Sequence, residues 1–249
     1  MLTLAAVVLF AASTALAQEP EPLEPAPAAT PALVASKMEP PPGRIAGKLA
    51  LANSDAEHGA DQAVVYIERV DPALWTPGEK ARRTKGAAAP RLTMEHKRFA
   101  PHVLVALQGV DVDFPNLDPV FHNVFSISGK NKFDLGLYKD GKSKTRDFKE
   151  PGLVRLYCNI HPSMSAFILV VQNPWYIAPD ADGSFRLKGL KAGKYTLRVW
   201  HERGGEATQE VEVKAGKLTS ANFQLDAAEY KELPHKNKMG QDYSAVPPY

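Results

Sequence analysis

The chain has 249 residues, of which 44% are hydrophobic and 23% charged, enough for one or two globular domains. The formal net charge is only +2 and no cluster of basic and aromatic residues occurs, so the composition argues against a nucleic-acid-binding protein. There is a single cysteine, which excludes an internal disulfide.

The amino terminus has the features of a secretory signal. Residues 4–10 are apolar, and residues 15–17 form an Ala-x-Ala cleavage motif. The sequence therefore predicts a signal peptide over residues 1–17 and a periplasmic or extracellular protein. The charged segment that normally precedes the apolar run is missing, which indicates a minimal signal or a different start of the chain. An uncleaved membrane anchor is the alternative, although the apolar run is short for a membrane span. We expect membrane contact only in that case.

The segment after the predicted signal peptide is predicted to be a linker followed by short strands. Residues 18–42 are rich in proline and alanine and predict an extended linker. From residue 43, short alternating or β-rich runs are bounded by turn residues, and a polar stretch over 71–90 predicts a surface loop. The runs are 45–51, 63–67, 103–107, 110–114, 153–157 and 166–171. The pattern predicts an all-β protein containing a Greek-key β-sandwich over residues 43–172.

A group of potential metal ligands lies within this predicted sandwich. Cys158, His161 and Met164 have the spacing Cys-x-x-His-x-x-Met, and His122 supplies a second imidazole. One thiolate, two imidazoles and a weak thioether are the ligands of a type 1 (blue) copper site. We therefore predict one copper ion bound by these four residues, with Asn123 tying the two ligand segments together. The alternative for Cys158 is a buried, inert thiol.

These motifs resemble those of a known family. The segment Phe-His-Asn-Val at 121–124, the turn Phe-x-x-Pro-Gly at 148–152 and Cys-x-x-His-Pro-x-Met at 158–164 are similar to cupredoxins of the amicyanin-like or plastocyanin-like type. The resemblance covers about residues 99–171. It implies a cupredoxin-like β-sandwich in which His122, Cys158, His161 and Met164 bind copper.

A second, smaller antiparallel β module is predicted over residues 173–226, followed by an irregular tail over 227–249. The segments Asp-Gly-x-Phe-x-Leu at 182–187 and Gly-x-Tyr-x-Leu at 193–197 resemble the carboxypeptidase-regulatory-like β-sandwich. The combination is also similar to exported proteins of the methylamine-utilisation type. A β module of this size would be only marginally stable by itself, so we expect it to pack against the apolar strand at 166–171.

The copper ligands point to an electron carrier rather than an enzyme. In this interpretation the protein exchanges single electrons with a protein redox partner. Two alternatives stay open on the sequence alone. The same ligands could hold copper for delivery, or the chain could be a metal-free β-sandwich of the adhesion or carbohydrate-associated kind.

Overall fold

The described part of the chain begins after the predicted signal. The computed structural model describes residues 39–71, 73–75, 88–231 and 234–243. The predicted signal peptide over 1–17, nearly all of the linker over 18–42 and most of the surface loop over 71–90 lie outside these residues. The prediction of a periplasmic or extracellular protein depends on that outlying segment and stays a prediction.

Strands dominate the described residues. In chain order they are β1 Gly43–Ala52, β2 Val64–Val70, β3 Thr93–Glu95, β4 Arg98–Ala100, β5 Val103–Leu107, β6 Asp111–Pro115, β7 His122–Ser126, β8 Phe133–Tyr138, β9 Ser143–Asp147, β10 Gly152–Tyr157, β11 Ser165–Val171, β12 Tyr176–Ile177, β13 Ser184–Leu190, β14 Gly193–His201, β15 Gly205–Val213, β16 Leu218–Ser220 and β17 Phe223–Asp226. The helical segments within the described ranges are short 3₁₀ turns at Ala56–His58, Ala60–Gln62 and Gly129–Asn131. The predicted all-β fold class is confirmed. No helix among the described residues is long and apolar enough to cross a bilayer.

Strands β3 to β11 form one unit, which we call the inner module. Its main sheet has the order β5-β11-β10-β7-β8, with β5 parallel to β11 and the other neighbours antiparallel. The pairs β3–β4 and β6–β9 complete the module. Its core contains the fully buried Phe114 and Phe148. Cys158 and Met164 belong to the same buried cluster, so the connection between β10 and β11 reaches into the apolar interior.

The remaining strands form a second unit, the outer module, with its own core. One sheet has the order β13-β1-β16, with β17 also paired to β1, and the other has the order β12-β2-β14-β15. Alternate side chains of both sheets point inward, as strand geometry requires. Ile45, Val65, Leu187 and Leu197 are among the side chains that meet in this core.

The strand pairing departs from the predicted domain boundaries. Residues 43–172 were predicted as one domain and 173–226 as another, yet β1 pairs with β13, β16 and β17, and β2 pairs with β12 and β14. The outer module is therefore assembled from two separate parts of the chain. A Cβ atom at Gly47 would lie 1.5 Å from Ala221 O, so only glycine permits this close approach of β1 to the carboxyl-terminal part. Alternation of apolar and polar residues predicts that a segment is a strand but not which strand it pairs with. The sequence therefore predicted the strands of the outer module without predicting that β1 and β2 belong to it.

The two modules meet on the outer face of β11. Leu169 and Val171 form a small buried cluster with Val64 of β2, and the ring of Phe167 lies 5.2 Å from that of Trp200 on β14. The opposite face of β11 belongs to the inner core. Both faces of this strand are buried, as its continuous apolar sequence indicates.

Candidate metal centre

Three predicted ligands are delivered by two neighbouring pieces of backbone. His122 is the first residue of β7, Cys158 follows the last residue of β10, and His161 lies in the turn that leads to β11. The turn is closed by two backbone hydrogen bonds, from Cys158 N to Met164 O at 3.2 Å and from Met164 N to His161 O at 3.0 Å. Since β7 and β10 are paired through Phe125 and Tyr157, the turn lies beside the start of β7.

The side chains of these three residues converge. The Cys158 Sγ atom lies 3.6 Å from His161 Nδ1 and 4.0 Å from His122 Nδ1, and the two Nδ1 atoms are 3.0 Å apart. Cys158 and His122 are completely buried and His161 is half-buried. Among the described residues, this is the one group of three or more His, Cys, Asp or Glu side chains that could hold an ion.

The spacing fits a single metal ion. Metal bonds are about 2.0 Å to imidazole nitrogen and about 2.3 Å to thiolate sulfur, so two ligand atoms of one ion lie roughly 3 to 4 Å apart. All three measured separations fall in this range. Thiolate and imidazole donors together are well suited to copper.

Met164, the fourth predicted ligand, is also placed in this turn. Its side chain is 1% exposed and packs in the same buried cluster as Cys158. Its backbone nitrogen and oxygen make the two hydrogen bonds that close the turn. The turn therefore carries Cys158, His161 and Met164 together.

Asn123 connects the two ligand-bearing segments. It follows His122 in β7 and is 1% exposed. Its Oδ1 accepts a hydrogen bond from Asn159 N at 3.3 Å, and its Nδ2 donates to Asp134 Oδ1 at 2.6 Å. The first of these bonds joins β7 directly to the turn that carries Cys158.

His122 is oriented by a carboxylate that the sequence analysis did not single out. Its Nε2 lies 2.7 Å from Asp118 Oδ2. Since an ionised carboxylate only accepts hydrogen bonds, Nε2 of a neutral His122 carries the proton and Nδ1 presents its lone pair to Cys158 and His161. Metal-binding histidines commonly have such a carboxylate partner.

Asp118 is itself held in place by backbone groups. Its carboxylate accepts hydrogen bonds from His96 N at 2.7 Å and Lys97 N at 2.8 Å, at the tip of the β3–β4 hairpin. Asn116 Oδ1 accepts from Asp118 N at 2.9 Å and shapes the loop before β7. Burial alone would raise the pKa of Asp118, but the hydrogen bonds from Lys97, His122 and His96 outweigh it and lower the pKa. The carboxylate is therefore ionised at neutral pH.

Burial has the largest effect on the pKa values of Cys158 and His161. Burial raises the pKa of the Cys158 thiol, although backbone N–H groups of Asn123, Ile160 and His161 oppose the shift. A metal ion supplies the positive charge that removes such a proton. Burial, followed by the charges of His122 and Lys97, lowers the pKa of His161, so its imidazole is neutral and able to bind a metal.

Comparison with known proteins gives partial similarities. Residues 173–221 match the family described as polysaccharide lyase family 4, domain II. No curated protein matches the sequence. The resemblances of the second module to the carboxypeptidase-regulatory-like sandwich, and of the chain to methylamine-utilisation-type proteins, stay predictions.

Solved structures similar to part of the chain include cupredoxins. A purple cupredoxin from Nitrosopumilus maritimus is 24% identical, with 32% of this chain and 98% of that chain covered and a TM-score of 0.30. The Cu-containing nitrite reductase NirK from Thermus scotoductus SA-01 is 26% identical, with 43% and 28% covered and a TM-score of 0.34. The reduced Cu(I) form of a mutant amicyanin is 19% identical, with 44% and 98% covered and a TM-score of 0.31.

Proposed function

We propose that this chain is a mononuclear type 1 copper protein that carries single electrons between protein partners. One ion would be bound by His122, Cys158 and His161, with Met164 as a weak fourth donor. The observation that carries the proposal is the convergence of one buried sulfur and two Nδ1 atoms, all within 4.8 Å of one another. Copper, when bound, supplies one-electron redox chemistry.

The surroundings of the ligands support electron transfer rather than catalysis. His122 is fixed through Asp118, and Cys158 lies in a turn closed by backbone bonds, so the ligand atoms have little freedom to rearrange. A metal site whose ligands move little has a small reorganisation energy when the ion gains or loses one electron. Only His161 among the three convergent ligands is partly exposed, which provides an edge for electron exchange.

We also propose that the protein works outside the cytoplasm. The single thiol, Cys158, is completely buried, which protects it from oxidation and mispairing and is compatible with an oxidising compartment. The signal-like sequence over residues 1–17 supports the same location.

Copper delivery is the competing function, because the exposed Pro162 and Ser163 beside His161 leave one side of the turn open to a partner.

The visible spectrum of the Cu(II)-loaded protein tests the proposal. We expect an intense absorption band from the Cys158 thiolate, which Cys158→Ser abolishes because it replaces a soft sulfur donor with a hard oxygen. Ser163→Ala, in the same turn, is the matched control and keeps the band. Thermal unfolding of both variants without metal checks that the fold survives. A colourless cupric complex in the unmodified protein, readily stripped by a chelator, would rule out the carrier and favour delivery.

A further inference from the structure

Residues 234–243 form an arm that lies against the ligand-bearing turn. They contain no strand, in keeping with the predicted irregular tail, yet they contact the site directly. The Tyr243 hydroxyl donates a hydrogen bond to Cys158 O at 2.8 Å, and Lys238 N donates to Asn159 Oδ1 at 2.9 Å. Two consecutive residues of the turn are therefore bound from the far end of the chain.

Ring contacts fix the arm in this position. The His235 ring stacks on Tyr157, with centroids 4.1 Å apart and an interplanar angle of 24°. Tyr243 meets His235 edge-on at 5.2 Å, and its hydroxyl lies 3.2 Å from His235 Nδ1. Because Tyr157 immediately precedes Cys158, the arm packs against the strand end that delivers the sulfur ligand.

The arm is also connected to the other ligand segment. Lys238 Nζ lies 2.6 Å from Asp134 Oδ2, and the same carboxylate accepts a hydrogen bond from Asn123 Nδ2. Asn123 in turn accepts from Asn159 N. A closed ring of hydrogen bonds therefore joins the arm, the start of β7 and the turn. Its members are Lys238, Asp134, Asn123 and Asn159.

We propose that the arm is a structural part of the metal centre, in which Tyr243 and Lys238 act as positioning residues for the Cys158–Asn159 end of the turn. The proposal rests on the proposed function for the identity of the ligands. A turn that is ordered before the ion arrives loses less conformational entropy on binding. We therefore expect the arm to order the turn in the metal-free protein and to slow copper loss in the loaded one.

Tyr243→Phe in the full-length chain tests this proposal, because it removes only the hydroxyl. Tyr195→Phe is the matched control, since the Tyr195 hydroxyl also donates to a backbone oxygen, that of Lys191 in the outer module. The first measurement is amide hydrogen exchange of the metal-free protein. A single hydrogen bond contributes about 0.5–1.5 kcal/mol, so exchange across residues 158–164 should become about twofold to tenfold faster in Tyr243→Phe. The exchange of these residues should not change in Tyr195→Phe.

The second measurement is the rate at which a chelator removes Cu(II), together with the position of the visible band. We expect faster loss by a similar factor and a shifted band in Tyr243→Phe, and a weaker effect of the same kind in Lys238→Gln. Unchanged exchange in the turn would overturn the proposal, as would acceleration spread evenly over the whole chain. If the turn loosens but the parent protein shows no copper band, the positioning role stands and the proposed function fails.

Discussion

His122 and His161 present their Nδ1 atoms 3.0 Å apart but are held in different ways. His122 stands on a strand, is completely buried and has a carboxylate partner on its other nitrogen. His161 stands in a turn and is half-buried. Within the described residues, the hydrogen-bond contacts of its ring are with Cys158 and His122.

This difference separates two tasks within one site. His122 is bonded to Asp118 in the loop before it, and backbone groups of the adjacent β3–β4 hairpin hold Asp118 in turn. The inner module therefore fixes this histidine. The turn that carries His161 depends on its own backbone bonds, on Asn123 and on the distant arm. The buried histidine is therefore the more firmly held of the two, and the half-buried one is the one that solvent can reach. The predictions below weaken these supports one at a time.

The largest effect is expected from Asp118→Asn. The amide can replace only part of the carboxylate's acceptor capacity, and its NH₂ group would face the donors of His96, Lys97 or His122. Leaving such buried groups unsatisfied costs about 1–3 kcal/mol each, so the free energy of unfolding should fall by about 2–3 kcal/mol. Copper affinity should fall roughly tenfold to a hundredfold.

Urea unfolding of the metal-free protein measures the first quantity and competition with a chelator the second. Asp140→Asn, in the exposed turn after β8, is the control and should leave both unchanged. A loss in Asp118→Asn no larger than in this control would show that His122 is held by packing alone.

Sequence reasoning could single out the candidate ligands because most of them are close together in the sequence. Cys158, His161 and Met164 lie within seven consecutive residues, and a strand end followed by a tight turn is sufficient to bring them together. His122 and Asn123 were recognisable because the segment at 121–124, which supplies a second imidazole, resembles a motif of cupredoxins. Strands such as β1, β2, β5 and β11 followed from runs of apolar residues, whereas the polar β9 did not.

The supports of the site were not predictable in the same way. Asp118 lies four residues before His122, but aspartate is common in loops, and its role depends on backbone N–H groups of a hairpin more than twenty positions earlier. Tyr243 and Lys238 lie in a polar segment without periodicity. The pairing of β1 with β13 likewise joins residues over a hundred positions apart, which no local pattern encodes.

Asn123→Ala is expected to have an intermediate effect, because it breaks the direct bond between β7 and the turn. It removes the acceptor for Asn159 N and the donor to Asp134, so unfolding should become easier by about 1–2 kcal/mol. Copper should also leave faster. Asn222→Ala is a suitable control, since it removes a side-chain acceptor for Lys48 N in the outer module. Equal rates of copper loss in the two variants would contradict a linking role for Asn123.

The smallest effect concerns support of the turn from the outer module. Glu202 Oε2 lies 2.6 Å from His102 Nε2, and Tyr230 donates to the other carboxylate oxygen. His102 O accepts from Phe167 N at 2.8 Å on β11, the strand that follows the turn. Burial would raise the pKa of Glu202, but its hydrogen bond and charge interaction with His102, with help from Tyr230, lower it.

A carboxylate with a lowered pKa in the folded state stabilises the protein above its unfolded pKa, and this contribution is lost as the pH falls through the folded value. Glu202→Gln should therefore reduce the free energy of unfolding by about 0.5–1 kcal/mol at pH 7, because partial exposure of His102 screens the pair. The difference from the parent should shrink as the pH falls below the ordinary pKa of a glutamate and through the lower pKa of Glu202 in the folded protein. Urea unfolding at several pH values measures it, with the exposed Glu229→Gln as control. If Glu202→Gln lowers stability as expected but leaves the rate of copper loss unchanged, the turn is supported by the inner module and the arm alone. If copper is lost faster, the outer module also supports the turn.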